Sequence, residues 1–310
     1  MPIMPEASII LCPGQGAQVV GMGRAWREAH PAAREVFAHA DAILGDSLGE
    51  ALSTLCFEGP VERLNQTDVS QPAIFVTSVA CYRAIEAEIG DEISAAAGLS
   101  LGEYTALHLA GAFSFEDGVR LVAQRGRFMQ DAAEASRGSM VALIGADEAQ
   151  AHEVCEMARR GRILVPANFN APGQIVLSGD ARACEDAVSV AADLGLRATP
   201  LAVAGAFHSD LMRPAADRMS EALADVSIKE PRFPVVSNVT GTMHEGDSAS
   251  IRRLLVAQIT SPVRWSQSCE WLGMHASGRY HELAPGKVLT GLMRRINREV
   301  KVVNHDQPGS

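Results

Sequence analysis

An α/β main domain interrupted by a small α+β insert is the fold class this sequence predicts. Three observations carry the prediction: strand and helix patterns alternate at both ends of the chain, the middle has a different grain, and the composition can bury a large core. The chain has 310 residues, 47% hydrophobic and 21% charged, the balance of a folded globular protein. The first element, Ser8 to Cys12, is a short apolar run ended by Pro13-Gly14, as expected of a buried parallel strand. A helical pattern follows over Ala25–Leu44, then a turn-rich region through Gly59-Pro60. The next helix is expected over Gln71–Glu88, with Pro72 just inside its start, where a missing N–H costs nothing. Small apolar residues from Ile93 to Leu99 read as a second buried strand. Ser100 and Gly102 punctuate it, and a helical pattern resumes at Tyr104–Ala110.

Between about Ser139 and Val203 the pattern changes. Met140–Ile144 reads as a strand and Asp147–Arg159 as a helix. Ile163–Asn168 and Gln174–Ser178 are two strands joined by Asn170-Ala171-Pro172-Gly173. Ala181–Leu194 is again a helix and Arg197–Val203 a last strand. The order βαββαβ is that of a ferredoxin-like unit. After it come a strand at Val235–Asn238, helices over Ile251–Ile259 and Ser266–Met274, a strand at Tyr280–Leu283 and a final helix after Gly286. The domain division that follows is a discontinuous main domain, 1–135 and 205–310, with an inserted subdomain over 136–204.

Charge and cysteine usage narrow the function classes. A formal net charge of −10 argues against general affinity for nucleic acid or anionic membranes. No apolar run reaches the ~18–20 residues of a membrane span. The N-terminal stretch lacks a basic lead-in and runs straight into Pro13-Gly14-Gln15-Gly16, which suits a strand better than a signal peptide. Six cysteines are scattered without a CxxC pair or metal-ligand spacing, so reduced thiols, a cytoplasmic setting and no metal are expected.

The chemistry starts at Gly98-Leu99-Ser100-Leu101-Gly102, a G-x-S-x-G pattern between a strand and a helix. A serine on so tight a turn exposes its Oγ, and flanking glycines let strand and helix approach closely, as in an α/β-hydrolase-like domain. Helix N–H groups just beyond it favour developing negative charge. The pattern by itself also fits a structural turn. A serine nucleophile needs a base. Of nine histidines, His208 alone sits in a small-residue junction, Val203 to Asp210, where the insert returns to the main domain and a cleft is expected. The residues alone leave its role open.

Taken with other segments, these residues resemble the malonyl-CoA:acyl-carrier-protein transacylases of fatty acid synthesis and the related acyltransferases of polyketide synthesis. The resemblance covers nearly the whole chain. It rests on Pro13-Gly14-Gln15-Gly16-Ala17-Gln18, Ser100-Leu101-Gly102-Glu103-Tyr104, Gln124 to Gln130, Asn168 to Gln174, Phe207-His208-Ser209, Pro262-Val263-Arg264-Trp265 and Pro285 to Gly291, in that order. It implies a malonyl-serine intermediate on Ser100 with His208 as base, and His208 oriented by the backbone carbonyl of Gln258. It also implies an oxyanion hole from Leu101 and Gln15. Arg125 would bind the malonyl carboxylate, since a guanidinium fork matches a carboxylate bidentately. Met129, Phe207 and Asn168 would line the same pocket.

Two positions depart from or refine the pattern. The family usually has histidine before the nucleophile, where this chain has Leu99. Phe207 before the histidine goes with malonyl rather than methylmalonyl in polyketide acyltransferases, because a bulky ring occupies the room an α-methyl branch needs. The resemblance further implies malonyl-CoA and an acyl carrier protein as partners, a monomer, and no cofactor. Lys287, Arg294, Arg295, Arg298 and Lys301 form the densest basic run, either a rim for an acidic carrier or a solvated helix face. The rival activity is a serine acyl hydrolase of α/β-hydrolase type, whose acid would fall between serine and histidine in the chain. A binding module without chemistry is the third reading.

Overall fold

The computed structural model describes residues 7–90 and 92–309. In chain order the elements are β1 (Ser8–Cys12), α1 (Arg24–Ala29), α2 (Pro31–Leu44), α3 (Leu52–Glu58), α4 (Val61–Leu64), α5 (Thr67–Ile89), β2 (Ile93–Gly98), α6 (Leu101–Leu109) and α7 (Phe115–Ala135). Then come β3 (Gly138–Ile144), α8 (Glu148–Arg159), β4 (Leu164–Ala171), β5 (Gln174–Asp180), α9 (Ala181–Asp193) and β6 (Arg197–Pro200). The chain ends with α10 (Arg213–Ala224), β7 (Val235–Val236), α11 (Ser248–Gln258), α12 (Trp265–His275), β8 (Arg279–Leu283), α13 (Val288–Ile296) and β9 (Val302–His305). Among the described residues no helix is long and apolar enough to cross a membrane.

Five strands form a parallel sheet in the order β7-β2-β1-β8-β9. The central strand β1 is buried along its whole length, and its side chains alternate between two cores. Ile10 and Cys12 face the core built on α5 and α7, whereas Ile9 and Leu11 face the one closed by α12 and α13. A parallel sheet covered on both faces needs such unbroken apolar strands, which is why Ser8–Cys12 and Ile93–Gly98 are legible as strands. Helix α5 is buried on nearly every side from Thr67 to Tyr82 and forms the axis of the larger core.

The insert is a four-stranded antiparallel sheet in the order β4-β5-β3-β6. Its alternation divides two jobs: Val141, Leu143, Ile175 and Leu177 pack under α8 and α9, while Met140 and Val176 face the main domain. A backbone bridge between Asn168 of β4 and Val263 ties the insert to the segment of the main domain between α11 and α12.

Several expected boundaries are corrected. The helix read over Ala25–Leu44 is two helices broken at His30-Pro31, because proline removes a donor and restricts the residue before it. Pro72 lies in the second turn of a helix that starts at Thr67, not at the start. The first turn, 67–71, is polar apart from Val69 although buried, so no apolar period announces it. Its Thr67 N–H is satisfied by Gln130 Oε1 at 2.9 Å, across from α7. The last strand of the insert stops at Pro200, three residues short of Val203, and the strand read to Asn238 stops at Val236. The turn-rich region around Gly59-Pro60 carries the short helices α3 and α4. Strand β9 and the long helix α7, which holds Arg125, were not delineated from sequence.

Candidate active site

The site lies beyond the carboxyl ends of β1 and β2, where α/β sheets offer their ligand crevice. Three glycines bring the β1 turn, β2 and α6 together. A Cβ on Gly102 would lie 2.1 Å from the carbonyl oxygen of Cys12, one on Gly98 1.9 Å from the carbonyl carbon of Gly102, and one on Gly14 2.1 Å from the Leu99 oxygen. Only hydrogen fits at each position, so the turn carrying Gln15 presses on the turn carrying Ser100.

Ser100 caps α6 with φ 51° and ψ −100°, a conformation that is costly for any residue with a side chain. His208 has φ 58°. Both strained residues face one cleft of about 330 Å³ between the main domain and the insert, lined among others by Gln15, Leu99, Met129, Asn168 and Phe207. Ser100 Oγ and His208 Nε2 are 2.9 Å apart. The other ring nitrogen, Nδ1, is 2.8 Å from the carbonyl oxygen of Gln258. That carbonyl can only accept, so it holds the proton on Nδ1 and leaves Nε2 free to take one from the serine. Burial pushes the imidazole pKa down to about 4, and the nearby Arg125 charge adds to the shift. His208 is therefore neutral and able to act as a base at pH 7.

Arg125 projects from the buried face of α7, in the helical series Gly118, Leu121, Val122, Arg125, Gly126, Met129. Its side chain is 1% exposed. The guanidinium donates to Ser100 Oγ at 3.1 Å, to Gln71 Oε1 at 2.7 Å and to Gln258 Oε1 at 2.8 Å, and lies 5.3 Å from the centroid of the Tyr104 ring. Its Nε has no partner among the described residues. Among the described residues no carboxylate forms a hydrogen bond or ion pair with it. Burial lowers its pKa, opposed by Tyr104 and Glu103, so it presents an under-compensated positive charge beside the nucleophile. Arg127, the other candidate in this stretch, points outward and pairs with Asp131 at 3.0 Å.

Of the residues singled out from sequence, Gln15, Leu99, Ser100, Met129, Asn168, Phe207 and His208 line this cleft. Arg125 and Gln258 lie behind it and reach it through Ser100 and His208, and the basic run Lys287, Arg294, Arg295, Arg298 and Lys301 is not part of its lining. Leu101 contributes the first N–H of α6, which has no intrahelical acceptor. Gln15 holds its loop through Thr67 Oγ1 at 3.3 Å. Met129 is buried against Gln71 Nε2 at 3.4 Å. Asp210, which a triad would have recruited, is exposed and paired with Arg213 at 2.8 Å. With a carbonyl rather than a carboxylate behind His208, the Ser…Asp…His order of an α/β-hydrolase triad is missing, and the hydrolase reading loses its third member.

Sequence reasoning missed four residues behind the site. Asn238 Oδ1 accepts from the Ser100 N–H at 2.6 Å and its Nδ2 donates to Gly98 O at 2.8 Å, clamping the strained turn. Gln71 holds Arg125. Glu103 and His244 form a buried pair at 2.8 Å. The only signal was Glu103 within the Ser100–Tyr104 segment, and nothing local distinguishes the other three.

A strained serine, a backbone-oriented imidazole and a buried guanidinium converge on one hydroxyl, a grouping suited to acyl transfer through a serine ester. The profile of the acyl transferase domain matches residues 9–298. The chain is 43% identical over 285 residues to the malonyl CoA-acyl carrier protein transacylase of Escherichia coli K12, covering 92% of this chain and 91% of that protein. The solved malonyl CoA-acyl carrier protein transacylase of Coxiella burnetii superposes with a TM-score of 0.94 at 36% identity, covering 99% and 96% of the two chains. A malonyl-transacylase solved in complex with a type II polyketide acyl-carrier protein gives 0.92 at 38%, covering 97% and 96%. The chain belongs to the malonyl CoA-acyl carrier protein transacylase family.

Proposed function

We propose that the protein moves malonyl from malonyl-CoA to the phosphopantetheine thiol of an acyl carrier protein, through a malonyl ester on Ser100. The observation that carries the roles is the convergence on one hydroxyl of His208 Nε2 at 2.9 Å and the Arg125 guanidinium at 3.1 Å. Ser100 Oγ attacks the thioester carbonyl while its proton passes to His208 Nε2. The oxyanion is received by backbone N–H groups of Leu101 and Gln15, each such donor being worth about 3–4 kcal/mol. On collapse the C–S bond breaks, the imidazolium protonates the departing CoA thiolate, and malonyl-Ser100 remains. The carrier thiol then gives its proton to His208 and attacks the ester. The serine leaves and recovers that proton.

Arg125 binds the malonyl carboxylate. A neutral acyl group would leave the guanidinium buried without a counter-charge, and this penalty rejects it. Phe207, 7% exposed and facing the cleft, occupies the space beside the acyl α-carbon and disfavours a methyl branch there. Asn168 and Met129 complete the wall. The main domain, 1–135 and 205–310, is read as α/β-hydrolase-like and the insert, 136–204, as a ferredoxin-like subdomain that roofs the cleft. The βαββαβ strand order supports this division. Six buried, free cysteines are consistent with a cytoplasmic enzyme, which we read as a monomer.

The test is intact-mass spectrometry after incubation with malonyl-CoA. Wild type gains one malonyl group, discharged by holo-carrier protein, and Ser100→Ala gains none. Wild type that stays unmodified would sink the transferase reading.

A further inference from the structure

Behind the cleft lies a buried polar layer that the reaction steps above do not use. Its centre is the side chain of Gln258, whose backbone already orients His208. The amide oxygen accepts from Arg125 at 2.8 Å. The amide nitrogen donates to the Ser100 carbonyl at 2.9 Å and to Glu103 Oε2 at 2.7 Å. A guanidinium can only donate and a carboxylate can only accept, so the amide of Gln258 has one orientation open to it while both are in place. Glu103 is 0% exposed and fully engaged: Oε2 also accepts from the Asn238 N–H at 3.0 Å, and Oε1 accepts from His244 Nε2 at 2.8 Å. Asn238 in turn holds the Ser100 N–H. A buried carboxylate survives only when so surrounded.

We propose that Glu103, steered by His244, is a positioning residue for substrate choice. By fixing the amide of Gln258 it aims an oxygen at Arg125, and so holds the guanidinium where the carboxylate of the incoming acyl group is read. This rests on Arg125 being the carboxylate reader. Remove the acceptor at 103 and the Gln258 NH₂ keeps the Ser100 carbonyl but loses its shortest acceptor. The oxygen that faces Arg125 is then held less firmly, and the guanidinium is no longer fixed where it reads the carboxylate.

The readout is the ratio of kcat/KM for malonyl-CoA to that for acetyl-CoA, with holo-carrier protein as acceptor. Glu103→Leu is expected to lower the ratio at least about tenfold, chiefly through the KM for malonyl-CoA, the usual scale for loss of an orienting partner. Glu103→Gln keeps most of the ratio, because its amide oxygen can still face Gln258 and Asn238 while its NH₂ donates to His244 Nε2, the imidazole proton moving to Nδ1, which has no other partner among the described residues. A wild-type ratio in Glu103→Leu, or an equal fall for both acyl groups, overturns the proposal. Should that variant not fold, His244→Leu lowers the ratio by a smaller factor and His244→Gln, which retains a donor toward Oε1, restores it. A wild-type ratio in His244→Leu overturns it as well. Arg125→Ala separates the two claims. If it keeps the preference, the reading of Arg125 fails; if it loses the preference while Glu103→Leu keeps it, only the positioning role fails.

Discussion

His208 is neutral, and so fit for the proposed role of base, because of where it is buried. Enclosure disfavours the imidazolium, the Arg125 charge disfavours it further, and the Gln258 carbonyl only partly offsets both. The protonated form therefore appears in the free enzyme only near pH 4, well below the ordinary histidine value of about 6.5. Since the neutral form is the active one, kcat/KM for malonylation should stay flat from pH 8 to about pH 5 and fall by half near pH 4. With malonyl bound as proposed, its carboxylate beside Arg125 would relieve one cause of the shift, so the acid limb of kcat should lie at higher pH than that of kcat/KM. Single-turnover rates across pH 4–8 check both. An inflection in kcat/KM at 6.5 would show that the imidazole is not buried as described. At this same scale, Arg125 was selected only by its resemblance to a family position. Its place in the series 118, 121, 122, 125, 126, 129 is nevertheless a sequence signal, since an arginine on the apolar stripe of a helix must meet something buried.

Glycine contacts set the catalytic geometry at the scale of elements. Gly14, Gly98 and Gly102 let the β1 turn, β2 and the start of α6 meet at distances no side chain permits. Gly102→Ala should force α6 away from the Cys12 carbonyl, costing about 1–3 kcal/mol as overpacking does. The activity loss should exceed the stability loss, because the shift moves Ser100 and the Leu101 N–H together. Thermal unfolding and malonylation rate, measured on the same preparation, check this. Full activity in Gly102→Ala would mean the tight approach is incidental. Most elements were legible here for a simple reason: buried parallel strands and amphipathic helices write their period into the chain. Two of the misses lack that period, the mostly polar first turn of α5 and the four-residue edge strand β9, of which only His305 is buried; α7 carries the period in its buried stripe and could have been read from it.

Taken whole, the molecule keeps several histidines neutral by burial. His208 and His281 are both pushed down to about 4, and His108 and His305 are lowered as well, in each case chiefly by desolvation. In the unfolded chain each titrates near 6.5, so on acidification the unfolded state takes up protons first. Stability is thus fully present above about pH 6.5 and declines as pH falls towards 4. Melting temperatures at pH 7.5, 6 and 5 check this, and an unchanged value at pH 5 would contradict it. The chain by itself determined the alternating core, the βαββαβ order of the insert and the G-x-S-x-G turn, because these depend on neighbours a few residues apart. It could not determine that the carbonyl and side chain of Gln258, 158 positions from Ser100, join the imidazole, the guanidinium and the serine turn. Nor could it show that Glu103 and His244, 141 positions apart, stand behind them. A local pattern constrains the backbone, whereas the partner of a buried polar group is chosen by whatever the fold brings within hydrogen-bonding reach.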